Sequence, residues 1–131
     1  MDRVNQIIKK AKADKDVLAV ALFGSSLKGK GRDIDLCIFI KEKKSNLEMS
    51  RKQLEFLKIA KKGIDIQIFQ QLPVYIRIRI LKEGKILFSK DDDLLYGLAF
   101  NTLKEFESYK KIYETYLKEV ENGQRKDIIK I

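Results

Sequence analysis

Histidine is absent from the 131 residues, and cysteine and proline occur once each. Without histidine there is no Ser-His-Asp or Cys-His machinery, and most zinc sites are excluded too. Any catalysis must come from carboxylates, hydroxyls, lysine or arginine side chains and a hard metal ion. The lone Cys37 rules out an internal disulfide, which fits a reducing compartment. It lies in the apolar run Leu36-Cys37-Ile38-Phe39-Ile40 and reads as an inert core thiol. No apolar stretch approaches the roughly 20 residues of a membrane span. The N-terminus is charged and amphipathic, unlike a signal peptide. A cytoplasmic protein without membrane contact is the expectation.

What the chain has in excess is positive charge: 28 Lys and Arg against 19 Asp and Glu, a formal net charge of +9. Such a field attracts nucleoside triphosphates, nucleic acids and acidic protein surfaces alike. The lysines are spread along the whole sequence with no compact basic block, so a dedicated nucleic-acid footprint is not expected. Hydrophobic residues make up 44%, enough for a core of one domain, and the 36% charged residues imply a heavily charged surface. The dense Lys, Glu and Ile usage would suit a heat-adapted organism.

Val4, Ile7, Ile8 and Ala11 recur at helical spacing, predicting an amphipathic helix over 2–14. Residues 17–23 form a short continuous apolar run, a buried strand broken by Gly24-Ser25-Ser26. The basic stretch 27–32 reads as a loop or a helical turn, and a second strand runs over 33–40. A helix follows over 46–62, with Leu47, Leu54, Leu57 and Ala60 expected inward and Gly63 as its stop. Ile64, Ile66 and Ile68 alternate with Asp65 and Gln67 as a third strand. Residues 73–83 fit either a strand or a helix. Pro73 at the start and Gly84 at the end favour the helix, and 86–88 then make a fourth short strand. A long helix spans 91–121, with a seam at Leu95, Ala99, Thr102, Phe106, Tyr109, Tyr113, Tyr116 and Val120 that alternates steps of four and three.

The pattern predicts an α/β (α+β) fold: one central mixed sheet of three to four strands flanked by helices, with a long C-terminal helix. A single domain is expected, with a catalytic core over 1–90, a helix over 91–121 packing on that core or on a partner, and a tail over 122–131.

Asp33 and Asp35 head the second strand two residues apart, so both carboxylates project from one face while Ile34 and Leu36 fill the other. Adjacent carboxylates repel unless a cation lies between them, and oxygen ligands select a hard ion such as Mg²⁺ or Mn²⁺. Asp65 joins this cluster as a third ligand or a general base if its strand lies beside the second. Three carboxylates with substrate phosphates can hold two metal ions. Gly24-Ser25 sits where a strand gives way to a turn, where glycine lets a phosphate approach the backbone and the Ser25 hydroxyl adds a hydrogen bond. Lys28, Lys30 and Arg32 follow and can neutralise phosphate charge or remain solvated loop charges.

Phe23-Gly24-Ser25, then Asp33-Ile34-Asp35, then Asp65 resembles the DNA polymerase beta-like nucleotidyltransferase superfamily. The small size is similar to its minimal (MNT) branch in archaea and bacteria, and the resemblance covers about residues 17–88. It implies that Gly24 and Ser25 bind the triphosphate, that Asp33 and Asp35 hold metals, and that Asp65 is the third acidic residue. It further implies ATP as substrate, transfer of AMP to a hydroxyl, and a HEPN-type partner whose tyrosine is modified in an antitoxin role. Seven residues separate Ser25 from Asp33, a shorter stretch than is typical of the antitoxin branch.

Several other features admit plainer roles. Asp91-Asp92-Asp93 looks like a second acidic cluster, yet its place at a helix start argues for capping. Arg77 and Arg79 read as surface snorkelers. The aromatic seam beyond Phe106 exceeds what a small core covers, which points to a homodimer or a partner helix. Transfer to a small-molecule alcohol, and a module that binds nucleotide or partner without turnover, stand as alternative functions.

Overall fold

The computed structural model describes residues 2–24, 33–60 and 62–123. In chain order the elements are α1 (Asp2–Ala13), β1 (Val17–Phe23), β2 (Ile34–Ile40), α2 (Asn46–Ala60), β3 (Ile64–Ile68), a 3₁₀ turn (Phe69–Gln71), α3 (Val74–Glu83), β4 (Lys85–Ser89) and α4 (Asp92–Glu121). The four strands form one mixed sheet in the order β3-β2-β1-β4. β1 is antiparallel to both β2 and β4, whereas β2 and β3 are parallel and joined through α2. This is the expected α/β architecture, and the ambiguous segment after Pro73 is a helix.

Period-two alternation sends the strands' side chains to two different covers. Val20, Leu36, Ile38, Ile40, Ile66 and Ile68 bury one face beneath α1 and α2. Ala19, Ala21, Cys37 and Phe39 line the other face, where Phe69, Ile80, Leu95 and Leu98 close over them. Two alanines on β1 leave room for the Phe39–Phe69 stack, whose ring centroids lie 4.3 Å apart. At the end of β2, Gln70 extends the ladder: its Nε2 donates to the Ile40 carbonyl (2.7 Å) and its Oε1 accepts from the Ile40 N–H (3.2 Å). Burial pushes the pKa of the Cys37 thiol far up, as expected of an inert core cysteine.

The inward face of α2 agrees with expectation at Leu57 and Ala60 and differs at Leu47 and Leu54. Met49, Phe56 and Ala60 are its buried residues, while Leu47 and Leu54 face solvent. The inward stripe follows the i, i+7, i+11 row that meets β3. Gln53 lies on that row, and its Nε2 donates to the Ile66 carbonyl at 2.6 Å. A polar residue thus occupies an inward position, because the edge strand β3 presents a carbonyl there that needs a donor. Asp91 caps α4 as expected, accepting from the Leu94 N–H at 3.1 Å. Arg77 is not a surface snorkeler: its Nε donates to the Leu72 carbonyl (2.9 Å) and its Nη2 lies 2.7 Å from Glu105, tying α3 to α4. Among the described residues, no helix is long and apolar enough to cross a membrane.

Candidate active site

The end of β1 and the starts of β2 and β3 meet at one end of the sheet. Phe23 lies across from Asp35 on the antiparallel side, and Asp65 lies across from Asp35 on the parallel side. The Ile34 N–H donates to the Gly63 carbonyl at 2.8 Å, and Gly63 takes φ +89° to start β3 at this level. Register partners share a face, so Asp35 and Asp65 project side by side. Asp33, two residues before Asp35, enters the strand on that face as well. Further along, the same face turns into the buried row of Cys37 and Phe39, so the carboxylates sit where the cover of α3 and α4 gives out.

The three charges act on one another. Burial raises the pKa of Asp35 above its ordinary 3.8, and the charges of Asp65 and Asp33 raise it further. Asp65 is exposed, and its Oδ2 accepts from Gln67 Nε2 at 3.1 Å. Gln67 is the residue two further along the same face, a partner that the alternation of β3 could have indicated. Among the described residues, no three carboxylate or thiol side chains close on one point tightly enough to cage a metal ion. The donor set nonetheless suits a hard divalent cation: it is all oxygen, and the mutual repulsion centred on Asp35 is what such an ion relieves.

Gly24 has a role here that sequence reasoning assigned only to phosphate approach. Its φ is +72°, and a Cβ built on it would lie 2.6 Å from Asp35 Oδ2. Both the backbone conformation and the closeness of the carboxylate require glycine at this position. Gly24 therefore serves β2 as well as any ligand. Ser25, Lys28, Lys30 and Arg32 lie outside the described residues.

The family described as Polymerase beta, Nucleotidyltransferase matches residues 5–93, a span that contains the whole sheet and all three aspartates. A protein of Methanocaldococcus jannaschii named "Putative protein adenylyltransferase" is 29% identical over 113 residues, covering 82% of this chain and 79% of its own. Among solved structures, a chain of a toxin-antitoxin structure with AMP-PNP superimposes with a TM-score of 0.67 at 14% identity, covering 91% of this chain and 96% of that one. A chain of the complex between a tri-AMPylated Shewanella oneidensis HEPN toxin and an MNT antitoxin gives 0.63 at 13% identity, covering 91% and 93%. At such identities the structural likeness is one of fold. The family match reaches further, since it spans more than half of the chain and every element that builds the carboxylate end of the sheet: the chain belongs to the polymerase beta nucleotidyltransferase family.

Proposed function

We propose that the protein transfers AMP from ATP to a hydroxyl of a protein partner, with Asp33, Asp35 and Asp65 as the catalytic carboxylates. The observation that carries this reading is the juxtaposition of Asp35 and Asp65 across parallel strands, with Asp33 at the mouth of the same face. The protein acceptor is supported by the name of the Methanocaldococcus relative and by a fold shared with chains of toxin-antitoxin complexes, one of them holding an AMPylated HEPN toxin. A tyrosine of a HEPN-type partner, modified in an antitoxin role, is the acceptor we favour.

In the reaction the acceptor oxygen forms a bond to the α-phosphorus of ATP, the bond from that phosphorus to the bridging oxygen breaks, and pyrophosphate leaves. Asp33, Asp35 and Asp65 would hold one or two Mg²⁺ or Mn²⁺ ions, which neutralise phosphate charge and make the acceptor hydroxyl easier to deprotonate. Asp35 is rigidly placed, since β1 and β3 flank it and Gly24 packs against its carboxylate. It orients the reacting groups from a partly buried position where charge interactions are stronger than in water. Asp65, exposed beside it, is within reach of an incoming acceptor and can take the hydroxyl proton. Gly24 and Ser25 bind the triphosphate in this reading, and Lys28, Lys30 and Arg32 balance its charge.

Incubation with Mg²⁺, α-labelled ATP and the product of the neighbouring gene tests the proposal. Label is expected on a partner tyrosine, and it should vanish with Asp35→Asn. An unlabelled partner together with a labelled small alcohol would overturn the protein acceptor. No transfer to any hydroxyl from any nucleoside triphosphate would overturn the enzymatic reading.

A further inference from the structure

Asp65 lies on β3, at one edge of the sheet, and it is exposed. Strand pairing sets its backbone level with Asp35 but leaves the rotamer of its side chain open. Asp35 stands beside it with like charge, which favours rotamers that swing the Asp65 carboxylate away toward solvent. An aspartate so placed needs a restraint if it is to face the other two.

Gln67 supplies one. Its Nε2 donates to Asp65 Oδ2 at 3.1 Å. Residues two apart on a strand lie roughly 6.6 Å from one another, a gap that the long glutamine side chain spans and a serine hydroxyl would not. Gln67 is itself held in place. Ile66 and Ile68 on either side are fully buried on the opposite face. The backbone there is pinned by β2 along one edge and by Gln53, which bonds the Ile66 carbonyl at 2.6 Å. Toward the core its register partner is Cys37, a buried thiol and a weak acceptor. Asp65 is thus the strong acceptor that the Gln67 amide meets on its own face.

The kind of donor matters. Lysine would hold a carboxylate and cancel its charge, as Lys52 does for Asp14 at 2.8 Å. A primary amide holds the carboxylate and leaves its charge whole, so that it still attracts a cation. The bond engages Oδ2; among the described residues, Oδ1 of Asp65 accepts no hydrogen bond.

We propose that Gln67 is a positioning residue for nucleotidyl transfer: it holds Asp65 by one oxygen, against the repulsion of Asp35, and leaves the other oxygen to a divalent cation. The inference rests on the function proposed above. Gln67 acts through Asp65, so its influence disappears when Asp65 does.

The test uses the full chain, with Mn²⁺ binding read by electron paramagnetic resonance and turnover read with labelled ATP. Gln67→Met keeps the length of the side chain and removes the donor. It should weaken Mn²⁺ binding and lower turnover, each about ten-fold, with a thermal melt like that of wild type. In an Asp65→Ala background the same substitution should change Mn²⁺ affinity by no more than about a factor of two. Gln67→Lys keeps a donor but adds a cation. It should fold as well as wild type and bind Mn²⁺ at least as weakly as Gln67→Met. Wild-type Mn²⁺ affinity in Gln67→Met or in Gln67→Lys overturns the proposal. So does a loss from Gln67→Met that is equally large without Asp65, or a wild-type chain that binds no Mn²⁺. A wild-type chain that binds Mn²⁺ and transfers no nucleotide instead removes the proposed function, and the Mn²⁺ series still decides whether Gln67 positions Asp65.

Discussion

Two groups of aspartates sit at opposite ends of the same sheet and have opposite electrostatic fates. Asp14 and Asp16 precede β1, and Lys52 of α2 reaches both, at 2.8 and 3.4 Å. Burial alone would raise the pKa of Asp16, but the hydrogen bond from Lys52 and the charge of Lys44 outweigh it and bring it below 3.8. Lys52 answers in kind. Its burial is outweighed by Asp14 and Asp16, and its pKa rises. At the other end, burial together with the charges of Asp65 and Asp33 moves the pKa of Asp35 up. One group has its cations built into the fold. The other gathers like charge where the core stops, the arrangement expected of a site that binds a cation and phosphates.

The largest expected effect separates the two groups by activity. Asp35→Asn should lower nucleotidyl transfer on the order of 10²–10³-fold or more, whereas Asp14→Asn should leave the turnover number within about a factor of two at 25 °C. Radiolabel incorporation under initial-rate conditions reads both. Equal losses would erase the distinction between a reacting and a bracing cluster.

Stability should separate them in the reverse sense. Lys52→Met removes the cation that Asp14 and Asp16 share, leaving Asp16 with Lys44, and should cost about 2 kcal/mol in urea denaturation. Asp16 contributes stability that is present above the unfolded carboxylate value and lost as pH falls through its lowered folded value. Lys52 contributes stability that is present below 10.5 and lost as pH rises through its raised folded value. The wild-type advantage over Lys52→Met should therefore hold across neutral pH and shrink at both extremes.

A smaller effect sharpens the picture at the proposed site. Gly24→Ala should destabilise by about 1–2 kcal/mol through its positive φ and the closeness of Asp35. In an Asp35→Ala background only the φ cost remains, so a double-mutant cycle should return a coupling on the order of 1 kcal/mol. Purely additive costs would show that the carboxylate does not constrain position 24.

The smallest expected effect is a gain. Because the folded-state pKa of Asp35 is raised, its ionised form weakens the fold at neutral pH, and the penalty fades as pH falls through the raised value toward 3.8 and below. Asp35→Asn should then melt a few degrees above wild type near pH 7, with the difference closing in acid. A lower melting temperature at pH 7 would contradict the burial and charge repulsion assigned to Asp35.

Much of this contrast was legible in the residues. The alternation Asp33, Asp35, Cys37, Phe39 against Ile34, Leu36, Ile38, Ile40 is enough to sort the two faces of β2, and Asp65 with Gln67 does the same for β3. Pro73 and Gly84 resolved a segment whose apolar spacing fits two periods. Misreading the stripe of α2 has a plain cause: leucines at 47 and 54 have the stronger hydropathy, while the edge of β3 drew Gln53 and Phe56 inward. Likewise Arg77 in an apolar helix gives no sign that its partner stands 28 residues later, on α4.

By itself the sequence determined the elements, the face on which each aspartate lies, the exclusion of histidine chemistry and the heptad of the last helix. All of these are periods and capping signals written between neighbours within a few residues. The tertiary structure alone decided that Asp65 lies level with Asp35, that Gly24 packs against that carboxylate, and that the seam of α4 runs out of core after Thr102. Each of these depends on how a turn and a crossover helix set the register between segments far apart in the chain, a distance over which local periodicity carries no information.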